Sequence, residues 1–241
     1  MKIRAVIFDI YNTLLEIGPP PSDAVARWTE LCRRALGVKP HLDLAGFGAA
    51  CERVIAREHK AVRQTGIAHP EIFWPAVACE ALPELVRLGP KQLDIFLIEH
   101  AALQRSVRLM PGAANVLRVL LRDRVLLGLV SNSQPYTLTE LAGSLAGARL
   151  RFKIFEPEIS FLSFQAGFSK PDPHVFRWLA AHLRNFDIAT KEALIVGDRL
   201  DNDTEPAQAQ GFQTWHFSAE PSTWPTAGDW IALSHFLKNY S

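Results

Sequence analysis

The sequence has few cysteines, almost no net charge and no long hydrophobic run, and each shortage excludes a class of protein. Its 241 residues include three cysteines, and 26 lysines and arginines nearly balance 25 aspartates and glutamates, leaving a net charge of +1. This balance gives no general electrostatic reason to expect binding to nucleic acid or to an anionic membrane surface. No apolar stretch approaches the length of a transmembrane helix. A hydrophobic content of 48% is nevertheless enough to bury a substantial core.

The cysteines indicate the compartment. Cys32, Cys51 and Cys79 form neither a Cys-x-x-Cys pair nor a metal-ligand spacing, and an odd number of such cysteines suits a reducing environment. The N-terminal apolar run is interrupted by Asp9, and no small-residue cleavage site follows it, which argues against a signal peptide. We therefore expect a cytoplasmic protein with one core domain and a smaller insertion.

Asp9 is the most informative residue because it ends a short apolar run at residues 5–8. Such a run is typical of a buried parallel strand, and open α/β sheets bind their ligands at the carboxyl ends of their strands. Since an unpaired buried carboxylate is costly, we expect Asp9 to meet a metal, a cation or a substrate. Taken alone, an Asp in this position could also simply open a turn.

Three later segments agree with a site at the same edge of a sheet. They are, in chain order, an apolar run at residues 125–130 followed by Ser131, Asn132 and Ser133, a turn-rich stretch around Lys170, and an apolar run at residues 193–196 followed by Asp198, Asp201 and Asp203. The order of strand and Asp, strand and Ser, loop and Lys, then strand and acidic cluster resembles the four motifs of the haloacid dehalogenase-like superfamily of hydrolases. Each motif alone is weak, but four in order are a strong indication.

The helix and strand patterns predict an α/β protein with a helical insertion. Residues 17–108 show helical patterns without strand-like alternation, whereas residues 109–241 alternate strands and helices as in βαβ units. The resemblance implies a Rossmann-like, doubly wound parallel sheet core formed by residues 1–16 and 109–241, with residues 17–108 as an inserted helical cap domain. Predicted elements include helices at residues 44–64, 71–81, 91–106 and 204–210 and a strand near residues 152–155.

The resemblance also implies roles for the motif residues. Asp9 would be a nucleophile that forms an aspartyl intermediate. Ser131 would donate its hydroxyl to a transferring phosphoryl oxygen, helped by the following backbone N–H groups, of which Asn132 supplies the first. Lys170 would keep Asp9 ionised and screen the anionic oxygens of the substrate. The expected substrate is a small phosphorylated molecule.

The acidic cluster indicates a magnesium site, because Mg²⁺ prefers hard oxygen ligands and takes one or two carboxylates. By resemblance, Asp9, Asp198 and the backbone carbonyl of Tyr11 bind the ion. Asp203 would then orient Lys170 or a metal-bound water. We interpret Asp201 as the N-cap of the following helix.

Tyr11 departs from the pattern, because phosphatases of this superfamily carry a second Asp at this position as general acid and base. A phenol with a reference pKa of about 10 stays protonated at neutral pH and is a poor base. Losing a general acid and base typically costs about 10²–10⁴ in rate, so we predict slow turnover of unactivated phosphate esters. The Asp-x-Tyr sequence is similar to that of the L-2-haloacid dehalogenases, in which the departing halide needs no proton.

Three functions remain open from the sequence. We prefer a Mg²⁺-dependent, phosphatase-like hydrolase, because Asp198 and Asp203 would repel Asp9 without a cation. A dehalogenase-like hydrolase of carbon–halogen bonds is our second choice. Those enzymes work without Mg²⁺ and have Ser-Asn where this chain has Gly197-Asp198, which argues against this function. The third is a domain that has lost catalysis and works through binding, which Tyr11 favours and the other motif residues oppose.

Overall fold

The computed structural model describes residues 2–239 and contains a six-stranded sheet in which neighbouring strands run parallel. The strands are, in chain order, β1 (Ala5–Phe8), β2 (Leu15–Gly18), β3 (Ser106–Leu109), β4 (Leu126–Ser131), β5 (Phe161–Leu162), β6 (Ala193–Gly197), β7 (Gln213–Phe217) and β8 (Ala227–Gly228). Within the sheet their order is β5-β4-β1-β6-β7-β8. The predicted α/β class is therefore confirmed.

Helices separate most of the strands along the chain. They are α1 (Ala24–Leu36), α2 (Leu44–Arg63), α3 (Trp74–Ala81), α4 (Pro90–Gln104), α5 (Ala113–Arg122), α6 (Pro135–Gly147), α7 (Ser163–Ala166), α8 (Pro173–Leu183), α9 (Glu205–Gln208) and α10 (Trp230–Lys238). Among the described residues, no helix is both long enough and apolar enough to cross a membrane.

The central strand β1 is buried on both faces, as the predicted doubly wound sheet requires. Val6 and Phe8 belong to one apolar cluster, which also contains residues of α5, α6 and α10. Ala5 and Ile7 belong to a second cluster with residues of α8 and α9. Because successive side chains of a strand point to opposite faces, helices cover the sheet on both sides, and the doubly wound core is confirmed.

Helices α1 to α4 enclose an apolar cluster of their own. At its centre Trp28 stacks on Phe47 with ring centroids 5.0 Å apart, and His100 lies edge-on to Phe47. Burial, with a smaller contribution from Arg105, lowers the pKa of His100 to about 4, so this histidine is neutral at physiological pH. These helices agree with the helical insertion of the predicted fold, while its role as a cap and the domain boundaries at residues 17 and 108 stay a prediction.

The expectation that no strand occurs in residues 17–108 is wrong at both ends of that range. Strands β2 and β3 form an antiparallel ribbon in which Leu15 pairs with Leu109 and Gly18 with Ser106. Each strand has only four residues, and the partner of each lies at the far end of the helical insertion. A pattern confined to one short stretch therefore could not predict the pairing.

The predicted strand near residues 152–155 is also wrong, because Phe152–Ile154 forms a 3₁₀ turn. Phe152 and Ile154 are apolar because they pack on the core, as does Phe155, which is 3% exposed, and not because the chain is extended. The edge strand lies further on, at Phe161–Leu162. With two residues, that strand is too short to produce an alternating pattern.

Two helix predictions need correction at their N-termini. Helix α3 begins at Trp74 and not at residue 71, because the preceding residues are extended against the core. Helix α9 follows a π-helical turn at Leu200–Thr204, and Asp201 does not cap it. The exposed carboxylate of Asp201 instead accepts a hydrogen bond from the Arg199 guanidinium at 2.7 Å.

Candidate active site

Three of the four predicted motifs lie at the carboxyl ends of adjacent strands. Asp9 directly follows β1, Ser131 ends β4, and Asp198 directly follows β6. Strand β1 lies between β4 and β6, so these residues share one edge of the sheet, where open parallel sheets bind ligands. The backbone N–H of Asp9 donates to the carbonyl of Val196 at 2.8 Å, which extends the strand pairing up to the carboxylate.

The remaining motif residue, Lys170, is turned into this edge. Its Nζ donates to Asp9 Oδ1 at 2.7 Å and to Asp203 Oδ1 at 2.5 Å. Lys170 is 2% exposed and Asp203 is 1% exposed. Burial disfavours the ammonium, but Asp203 and Asp9 outweigh it and raise the pKa of Lys170. The lysine therefore stays charged between the two carboxylates.

Asp9, Asp198 and Asp203 form an acidic cluster in which one carboxylate oxygen from each lies within 4.8 Å of the others. Burial raises the pKa of Asp9 to about 7, with Lys170 opposing the shift and Asp203 and Asp198 adding to it. Burial and Asp203 also raise the pKa of Asp198. When all three carboxylates are ionised, the single ammonium leaves two negative charges to be balanced. The donor set and this charge deficit both fit Mg²⁺.

The chain around the acidic cluster is held by close backbone contacts. A Cβ atom on Gly197 would lie 2.4 Å from the carboxyl carbon of Asp203, so only glycine lets Asp203 occupy its place. The backbone N–H of Arg199 donates to Asp203 Oδ2 at 3.1 Å. His216 Nε2 lies 2.9 Å from the carbonyl oxygen of Asp198, and this contact fixes the backbone that carries Asp198.

Replacing Gly197 with Ala should therefore displace the Asp203 carboxylate and weaken magnesium binding by about 10- to 100-fold, as expected for a partner next to a metal site. The measurements are direct Mg²⁺ binding by calorimetry and the Mg²⁺ dependence of turnover. Gly48→Ala is the matched control, because its added Cβ meets no atom within 4 Å apart from its chain neighbours and the nearby backbone of its own helix. Equal Mg²⁺ affinity in both variants would show that Gly197 does not position the cluster.

Ser131, at the end of the strand next to the one that Asp9 follows, carries an unsatisfied hydroxyl. The residue is 1% exposed, and its Oγ has no hydrogen-bond partner among the described residues. Leaving a buried hydroxyl unpaired costs about 1–3 kcal/mol. A ligand oxygen bound beside Asp9 would satisfy this group, as the predicted phosphoryl contact requires.

Asn132 has a contact that the sequence did not indicate. Its Nδ2 donates to the carbonyl of Lys170 at 2.9 Å, and its Oδ1 accepts from the backbone N–H of Lys170 at 2.8 Å. The carboxamide therefore holds the lysine loop, and the predicted contact with substrate is left to the backbone N–H of Asn132. The two residues are far apart in sequence, so no local pattern could reveal the pairing.

Tyr11 directs its phenol away from solvent into a polar network. The hydroxyl donates to Glu140 Oε2 at 2.5 Å, accepts from the Arg105 guanidinium at 2.6 Å and lies 2.9 Å from Thr137 Oγ1. Arg105 also lies over the Tyr11 ring, 4.6 Å from its centroid. Burial raises the pKa of Tyr11, so the phenol stays protonated and is a poor base. Its partners come from the end of α4 and from α6, and the sequence contained no signal for them.

The comparisons with known proteins agree with this geometry. The family model for haloacid dehalogenase-like hydrolases matches residues 3–211. The chain therefore belongs to the haloacid dehalogenase-like hydrolases, as the four motifs predicted.

Both phosphatases and dehalogenases occur among similar proteins. Glyceraldehyde 3-phosphate phosphatase of Pyrococcus abyssi is 26% identical over 216 residues, which cover 89% of this chain and 81% of the relative. The structure of a 2-haloacid dehalogenase from Pseudomonas syringae matches with a TM-score of 0.61 and 19% identity over 99% of this chain and all of that one. A magnesium-bound hydrolase of the family from Bacillus subtilis matches with a TM-score of 0.54 and 20% identity over 98% and 99% of the two chains. At these identities the structural matches show the fold alone.

Proposed function

We propose that this protein is a Mg²⁺-dependent hydrolase that cleaves a small phosphomonoester with Asp9 as nucleophile. The observation that carries the proposal is the placement of Lys170 between Asp9 and Asp203, with Asp198 in the same cluster. A metal-free reaction would leave these carboxylates to repel one another. The phosphatase from Pyrococcus abyssi supports the substrate class, and the acidic cluster of Asp9, Asp198 and Asp203 supports the cofactor.

In the proposed reaction, a carboxylate oxygen of Asp9 attacks phosphorus, and the bond from phosphorus to the leaving oxygen breaks. The leaving group departs as an oxyanion, which takes a proton from solvent water. Ser131 donates its free hydroxyl to a phosphoryl oxygen, and Lys170 stabilises the ionised Asp9. Mg²⁺, held by Asp9, Asp198 and the Tyr11 carbonyl, would supply positive charge for the phosphoryl oxygens. Water then hydrolyses the aspartyl phosphate, which restores the carboxylate and releases phosphate.

The decisive experiment incubates the protein with an activated aryl phosphate, with Mg²⁺ and with a chelator. We expect release of phosphate that depends on Mg²⁺ and stops when the chelator is added. Release that is equally fast in both conditions would contradict the metal site. No release in either condition, from protein shown to be folded, would contradict the phosphatase proposal and favour a binding role.

A dehalogenase-like reaction is the second candidate, and the phenol at Tyr11 is the observation that favours it. The hydroxyl is already engaged with Glu140 and Arg105, so no proton is offered to a leaving group there. Halide release from a 2-haloacid in the presence of the chelator would favour this reaction. The acidic cluster opposes it, since a carbon–halogen hydrolase of this type needs no metal.

The proposal also includes the organisation and location of the protein. Residues 1–16 and 109–241 would form the catalytic core domain, and residues 17–108 would form the cap that selects the substrate. A cytoplasmic location fits the three free cysteines. A partner set limited to small molecules, without nucleic acid or membrane, fits the near-neutral charge of the chain.

A further inference from the structure

Glu71 reaches from the helical insertion into the core. It lies in the extended residues that precede α3. Its Oε2 accepts a hydrogen bond from Ser163 Oγ at 2.5 Å, and its Oε1 accepts from Gln134 Nε2 at 3.0 Å. Each carboxylate oxygen thus has its own donor from the core, and hydrogen bonds to a charged acceptor are about twice as strong as neutral ones.

Both partners of Glu71 lie in or against the segment that directly follows Ser131. The hydroxyl of Ser163 accepts from the backbone N–H of Ser133 at 2.8 Å, and Gln134 is the next residue along the chain. The Glu71 carboxylate, which belongs to the insertion, therefore stabilises residues 131–134 through its bonds to Ser163 and Gln134. Without Glu71, both the Ser163 hydroxyl and the Gln134 amide would lose an acceptor.

The backbone around Glu71 reaches the lysine loop as well. The N–H of Glu71 donates to the carbonyl of Gly167 at 3.0 Å, and the N–H of Ser169 donates to the carbonyl of His69 at 2.9 Å. These bonds form a short antiparallel contact immediately before Lys170. Residues 69–71 thus dock on residues 167–169 in the same place where the Glu71 side chain holds residues 131–134.

We propose that Glu71 is a positioning residue that couples the segment directly after Ser131 to the loop carrying Lys170. Its carboxylate bonds to Gln134 and Ser163 and not to Asp9 or Lys170, and it acts through those two partners. The inference rests on the proposed function, because the loops matter only if their residues handle a phosphoryl group. It adds a residue from the insertion to the contacts that hold these two segments of the core.

The first test compares Glu71→Ala with Glu71→Gln in the turnover of an aryl phosphate. We expect Glu71→Ala to lower kcat by about 10- to 100-fold, since small displacements of catalytic groups have such effects. The substrate KM should change by less than about threefold. Glu71→Gln should recover most of the loss, because its amide oxygen can accept from Gln134 and its amide N–H can donate to Ser163. Glu52→Ala, at an exposed position of α2, is the control and should leave kcat unchanged.

The second test does not depend on activity. Hydrogen exchange of the backbone N–H groups of Ser133 and Ser169 should be faster in Glu71→Ala, while exchange within β1 stays as in the wild type. Unchanged exchange at both amides would overturn the proposal whatever the activity. Faster exchange in a protein that hydrolyses no phosphate ester would leave Glu71 as the coupling residue and contradict only the proposed function.

A third test asks whether Glu71 acts through Ser163. Ser163→Ala should lower kcat in the same direction as Glu71→Ala, and the double variant should lose less than the sum of the two effects, because residues that share a hydrogen bond are not additive. Full additivity would show that Glu71 and Ser163 act independently, which would overturn the route proposed here.

Discussion

Asp9→Asn is expected to lower the turnover of an activated aryl phosphate by at least about 10⁴-fold, the scale of loss seen when a catalytic nucleophile is removed. The carboxamide keeps the size of the side chain but offers no anionic oxygen to attack phosphorus. It also removes one charge from the acidic cluster and one charged partner from Lys170. Initial rates at saturating Mg²⁺ measure the effect, and thermal unfolding shows that the variant is folded.

Asp201→Asn is the matched control for this substitution. Asp201 follows the same strand as Asp198, but its exposed carboxylate pairs only with Arg199 among the described contacts. The Asp201→Asn variant should therefore hydrolyse the aryl phosphate at the wild-type rate. If Asp9→Asn kept a substantial part of the wild-type rate, Asp9 would not be the nucleophile and the proposed reaction would be wrong.

Tyr11→Asp is expected to raise the turnover of an unactivated alkyl phosphate by about 10²-fold or more, the range that a general acid and base contributes. The phenol now present is engaged with Glu140 and Arg105 and has a raised pKa, so it cannot exchange protons readily at neutral pH. A carboxyl group two residues after Asp9 could do so. Arg105 and Glu140 also contact each other at 3.0 Å, and that pair can remain when the phenol is removed.

Tyr11→Asn distinguishes the effect of the new acid in Tyr11→Asp from the effect of replacing the phenol with a smaller side chain. It leaves a side chain of the same size as Asp but without a titratable proton, so it should not accelerate the alkyl phosphate. On an aryl phosphate, whose leaving group departs without a proton, the two variants should differ much less. Equal rates of Tyr11→Asp and Tyr11→Asn on the alkyl phosphate would contradict the interpretation of this position.

The sequence predicted the core fold and the residues that meet at its edge. Short apolar runs indicate buried parallel strands, and a polar residue directly after each run must lie at the carboxyl end of the sheet. Asp9, Ser131 and Asp198 could be placed in this way because strand and polar residue are neighbours along the chain. Lys170 was placed by the order of the motifs, and the structure brings its Nζ within 2.7 Å of Asp9.

Only the tertiary structure revealed the contacts that support these residues. The Glu71 carboxylate, the clamp of Asn132 on Lys170 and the network around Tyr11 each join segments far apart in sequence. The β2 and β3 ribbon was missed for the same reason. A local pattern records which face of a strand or helix is buried, because burial selects residue types at each position. It does not record which distant segment supplies a hydrogen-bond partner, since that depends on how the whole chain packs.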